Sequence, residues 1–113
     1  MLIQVVDAND VTQQIVAQSP GTPTDRSGTI VTSGLSQMLL EIMPAGTQRS
    51  GWLVQNNGIN SMQINDLGSP ADQSPSAIFL APGSTFPPPG YPVTQGEVQI
   101  VGFQGDNFMA REW

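Results

Sequence analysis

The sequence predicts an all-β fold, a small antiparallel β-sandwich or jelly-roll-like barrel of about eight strands. Three observations carry that expectation. The 113 residues include 12 Gly and 10 Pro, which cut the chain into short pieces. Those pieces are rich in Val, Ile, Thr, Phe and Trp and alternate apolar with polar residues, the period of a half-buried strand. Turn chemistry separates them at intervals of roughly 8–12 residues, as in sandwiches and barrels.

In chain order, residues 2–6 read as a first strand. Asp7, Asn9 and Asp10 supply a turn, because Asn and Asp bond their own backbone and tolerate left-handed φ. Residues 11–17 return as the second arm of a hairpin; a helix capped by Asp10, with Val11 and Ile15 on one face, is the alternative. Residues 19–25 hold two Pro and no large apolar side chain, a linker by composition. The expected organisation is therefore a hairpin or arm with its linker over residues 1–25 and a β-sandwich domain over residues 26–113. A two-stranded arm is marginal alone and needs a body or a neighbouring subunit to pack on.

Within the body, residues 28–32 read as a short strand. Residues 35–43 fit both periods, since Leu35, Met38, Leu39 and Ile42 have helical spacing while Met38, Leu40 and Ile42 alternate. The bounding Gly34 and Pro44 and the short length favour a strand. Trp52 to Asn56 is a strand, Asn57-Gly58 is a type I′ turn signal, and residues 59–65 are the expected hairpin partner. Residues 67–76 are a polar loop, and residues 77–80 a strand ending at Ala81-Pro82-Gly83. The Pro87-Pro88-Pro89 run makes a rigid loop with Phe86 and Tyr91 against the body. Residues 97–103 and 106–113 are the last two strands.

Composition restricts the chemistry. Charged residues make up 11 % of the chain, with three Arg, nine carboxylates, a net charge of −6, and neither Lys, His nor Cys; about 25 % is usual. No thiolate, imidazole or Schiff-base amine is available for catalysis, and no zinc site of the ordinary kind can form. A phosphate backbone needs clustered cations, whereas Arg26, Arg49 and Arg111 are far apart in sequence. The apolar runs are too short for a membrane span, and the first twenty residues lack the pattern of a signal peptide. A carboxylate pair for glycoside hydrolysis loses to scattered solubilising charges. At Asp7, Asn9 and Asp10, calcium ligation loses to an Asx turn, because Gln18 stands where the loop's last Glu belongs. The Pro run as a polyproline ligand loses to a rigid loop. The expectation is no enzyme, no catalytic residue, no cofactor, no metal, no nucleic acid and no membrane. The sequence ends on a strand closed by Trp113, whose packing on its own body or across a subunit boundary is left open.

Edge strands of monomeric β proteins usually carry Lys as a guard. Here the strands carry Gln, Ser, Thr and Asn, with 12 Gln in all, residues that bury cheaply once hydrogen-bonded. Such a surface suits packing against copies of itself or a larger partner.

Several segments occur in an order that resembles a family. They are Arg26-Ser27-Gly28-Thr29-Ile30, Arg49-Ser50-Gly51-Trp52-Leu53-Val54-Gln55-Asn56-Asn57 and Met62-Gln63-Ile64-Asn65-Asp66-Leu67-Gly68. Leu80-Ala81-Pro82-Gly83-Ser84, Gly96 to Gly102 and the terminal Phe108 to Trp113 follow. Together they are similar to small structural proteins of tailed bacteriophages of Gram-negative hosts, over roughly residues 25–113. The resemblance implies a virion component and transfers no catalytic residue. The expected function is a capsid cement or decoration protein on the capsid exterior, assembled in the host cytoplasm. It would bind the major capsid protein and self-associate as a dimer or trimer. Arg26, Arg49 and Arg111 are candidates for bidentate pairs with shell carboxylates, and Trp52 and Trp113 for buried anchors. The alternative is a tail- or head-fibre-associated module binding a host receptor or glycan, for which Trp52, Phe86 and Tyr91 supply stacking rings.

Overall fold

The computed structural model describes residues 22–68, 70–71 and 75–113. The expected N-terminal hairpin, with its turn at Asp7, Asn9 and Asp10, lies outside the described residues. Among the described residues the protein is all-β, with nine strands in two antiparallel sheets. The strands are β1 (Thr24–Asp25), β2 (Gly28–Thr29), β3 (Gln37–Leu40), β4 (Trp52–Asn56), β5 (Met62–Asn65), β6 (Ile78–Leu80), β7 (Thr85–Phe86), β8 (Val98–Val101) and β9 (Asn107–Glu112). The first sheet runs β1-β9-β4-β7, with β2 also on β9; the second runs β3-β8-β5-β6.

Period-2 alternation builds the core. Trp52 and Val54 of β4 and Phe108 and Ala110 of β9 point inward from the first sheet. Met62 and Ile64 of β5, Leu80 of β6 and Val98 and Ile100 of β8 meet them from the second. Ile30, Leu39 and Leu40 complete the cluster, and each Val, Leu, Ile, Met or Phe side chain in it contributes about 1.5–3 kcal/mol by leaving water. In β3 the register shifts between Met38 and Leu40. The bulge puts consecutive Leu39 and Leu40 in the core and leaves Met38 and Ile42 exposed, so residues 35–43 follow neither of the two periods they fit in sequence.

Two expectations are revised. Residues 24–25, read as linker, form β1 and pair with Glu112 and Arg111 of β9, so the body begins at least two residues earlier. The Asn57-Gly58 hairpin does not form, because β4 pairs with β9 and β7 while β5 lies in the opposite sheet. The physical cause is Asn56, the third inward residue of β4 and fully buried. Its Oδ1 accepts the Gly58 N–H at 2.8 Å, and its Nδ2 donates to the Asn60 and Leu80 carbonyls at 2.8 and 2.9 Å. These bonds bend the chain across the end of the sandwich instead of back along β4. Gly58 is needed there, since a Cβ at that position would stand 2.6 Å from Asp106 Cβ.

Trp113 packs on its own chain. Its N–H donates to the Gly51 carbonyl at 3.0 Å, and its carbonyl accepts from Ser50 and Gly51 at 2.6 and 3.1 Å. The indole lies so close over Gly51 that a Cβ there would be 2.5 Å from Trp113 Cζ2.

Candidate functional site

The alternation that places Phe108 and Ala110 inward places Glu112 inward as well, at the end of the core near β1. Its carboxylate accepts Arg49 Nε at 2.7 Å and Arg26 Nε at 2.6 Å. Arg49 is fully enclosed, and its remaining donors reach the carbonyls of Thr94, Gly96 and Glu41 at 2.6, 3.2 and 2.7 Å. Gln95 closes the knot by donating to the Arg49 carbonyl and accepting its N–H. Arg49 therefore serves as an internal tie between two loops and β9 and is not offered to a partner, unlike the sequence expectation. Arg26 keeps its side chain 46 % exposed, and Arg111 is exposed on β9.

Burial alone would push the Glu112 carboxyl up, but the Arg49 and Arg26 hydrogen bonds outweigh it and hold the pKa below the ordinary glutamate value. A folded-state pKa below the unfolded value, about 4.3, favours folding above that pH. That support is lost as pH falls through the folded value. Denaturation followed from about pH 7 to about pH 3 is expected to show Glu112→Gln less stable than the native chain at neutral pH. The gap should close in acid; a gap independent of pH would assign the acid loss to other carboxylates.

The aromatic candidates are also committed internally. Trp52 is buried, and its ring meets Phe86 at 5.8 Å and 57°. Phe86 meets Tyr91 edge-on at 4.9 Å. The Tyr91 hydroxyl donates to Asp66 at 2.8 Å, and this bond, with burial and the Asp66 charge, raises the Tyr91 pKa. Phe86 and Tyr91 are half-buried against the body as expected, but Phe86 sits in β7, paired with Val54 of β4, and not in a loop. A stacking platform built on Trp52, Phe86 and Tyr91 would have to break this packing.

The exposed apolar side chains lie elsewhere, mainly on and beside the second sheet. Its outer face divides in two. Over one half, Ser36 Oγ donates to Gln99 Oε1 and accepts the N–H of buried Ala71, and Asn65 Nδ2 donates to Ser76 Oγ. The loop after β5 thus covers the Asn65–Gln99 pair. The other half is open. Val101, Gln63 and Phe79 lie in cross-strand register there, Phe79 is 70 % and Phe103 54 % exposed, and a groove of about 700 Å³ runs beside them. Its ends are residues 33–34 and 60–61. Hydrogen bonds from Gly34 to the Gly102 carbonyl and from the Gln104 N–H to Ser33 Oγ fix one end. At the other, Asn60 donates from N and Nδ2 to Asp106 Oδ2. Leu35, Met38 and Ile42 are exposed on or next to β3 at the sheet's far edge.

None of these five exposed side chains stood out among the sequence candidates. The signal was present at Ile78-Phe79-Leu80, where three consecutive apolar residues in a strand oblige one to face outward. Compared with known proteins, the chain matches no family model, no curated protein and no solved structure.

Proposed function

We propose that this protein is a structural component of a bacteriophage virion, a cement subunit that binds the outside of the major capsid shell. The observation that carries the reading is the display of Leu35, Met38 and Ile42 in the open along the β3 edge on a chain with 11 % charged residues. Exposed apolar groups set close together on one strand and its flanks mark a surface meant to be covered. Gln99, the cross-strand neighbour of Met38, buries at little cost once hydrogen-bonded. The resemblance of the segments from Arg26 to Trp113 to phage structural proteins supplies the setting. Arg111 and the open part of Arg26 are the accessible guanidiniums for shell carboxylates.

The test is a phage whose gene for this chain is deleted. Heads are expected to lose a peripheral density and burst on heating, and added protein should restore both properties. Added Met38→Asp with Ile42→Asp should show roughly tenfold weaker occupancy or worse, the loss of about 1.4 kcal/mol. Intact, heat-stable heads with failed adsorption would replace this reading with a fibre-associated, receptor-binding one.

A further inference from the structure

We infer that the open half of the second sheet, between Phe79 and Phe103, is the interface between two copies of this chain, paired face to face about a two-fold axis. The inference does not depend on the virion reading, because it concerns the mass of the protein in solution.

Charge is the first argument. A two-fold contact brings a surface against a copy of itself, so a charged group near the axis meets its like. This chain carries nine carboxylates against three Arg, yet no residue lining the groove is charged. The second groove, near Trp113, is lined by Arg26, Glu41 and Glu112 among others, and pairing it with a copy would desolvate those charges.

Shape is the second. Phe79 and Phe103 border a groove floored by Val101 and Gln63, so the face presents ring and hollow side by side. A ring of one copy seats in the hollow of the other, and symmetry repeats the contact. Phe79, Gln63 and Val101 are held in register on three paired strands, and both groove ends are fixed by hydrogen bonds. Little ordering cost therefore remains to be met on association.

Area is the third. A Phe side chain buries about 150–250 Å², so the exposed parts of four rings supply on the order of 500 Å². The floor adds little, because Val101 is only 6 % exposed, so the total stays below the roughly 1,200 Å² at which standard-size interfaces begin. That size corresponds to a dimer that dissociates on dilution.

The mass of the full chain should be measured by sedimentation equilibrium across a wide concentration range, with Phe79→Glu, Phe103→Glu and Val5→Asp beside it. The native chain is expected to show a reversible monomer–dimer equilibrium. Truncating a hot spot costs about 2 kcal/mol or more, about 30-fold, and symmetry counts each substitution twice. Either Glu variant should therefore weaken dimerisation by about 1,000-fold. Both sites are exposed, and an unchanged unfolding transition in at least one Glu variant confirms that the loss is one of association. Val5→Asp, placed in the apolar stretch before residue 22, should dimerise as the native chain does. A monomeric native chain overturns the inference, and so does a dimer indifferent to both Glu substitutions. Loss of dimer in Val5→Asp also overturns it, by making the N-terminal segment the occupant of the groove.

Discussion

Replacing Arg49 by Met is expected to cost about 3–5 kcal/mol of folding stability, the range for removing one partner of a buried ion pair. The reason lies in what remains. Glu112 stays enclosed at the end of the core with Arg26 as its one cation, and Arg26 is half in water. The carbonyls of Thr94, Gly96 and Glu41 lose the donor they share, each at about 1–3 kcal/mol if water cannot reach it. Against a total of about 5–15 kcal/mol for an ordinary domain, such a loss leaves the fold marginal. Arg49→Lys separates charge from geometry. A Lys ammonium keeps the charge but has three donors and no planar fork, so it cannot reproduce the four contacts of the guanidinium. Its cost should fall between the two. Urea denaturation of the three proteins measures the order, and a loss below about 1 kcal/mol for Arg49→Met would remove the cluster from the account of stability.

The second large effect is expected at Asn56→Leu, about 3 kcal/mol, from a substitution that keeps the branched four-atom outline and adds hydrophobicity. On area alone Leu should stabilise a fully buried site. Here it abandons the Gly58 N–H and the carbonyls of Asn60 and Leu80, and leaving buried polar groups unmade costs more than burial returns. The effect also has a location. Hydrogen exchange at the Gly58 amide should accelerate far more than at Val98 or Ile100 in the centre of the second sheet. Equal acceleration at all three amides would mean a global loss without release of the turn. A neutral or stabilising Asn56→Leu would show that water takes over all three groups.

The inward faces were legible in the sequence residue by residue. Val98 and Ile100 alternate as expected and are buried, and so are Trp52 and Val54. The same reading packed Phe86 and Tyr91 on the body but missed the short strand β7 that holds Phe86. Strand pairing was less legible. Asn57-Gly58 between two alternating segments is a strong local hairpin signal, yet β4 takes β9, more than fifty residues away, as its partner. The candidate residues divided in the same way. Trp113 could be marked as anchored by its position and size, but its seat over Gly51 is a contact between distant parts of the chain. Arg49 resembled a free cation because no carboxylate stands near it in sequence, and Glu112 reaches it only through the fold.

The low charge that makes this chain unusual is a property of the sequence by itself. So are its all-β class and the inward face of the regular strands, β3 with its bulge excepted, because alternation is a local, period-2 property carried by each strand separately. Only the tertiary structure decided which strands pair, that two of three Arg close on one Glu, and that Phe79 and Phe103 stand in the open. Those outcomes depend on how two sheet faces close over each other and on which buried polar group finds its partner across the chain. Both are non-local balances that no window of the sequence contains.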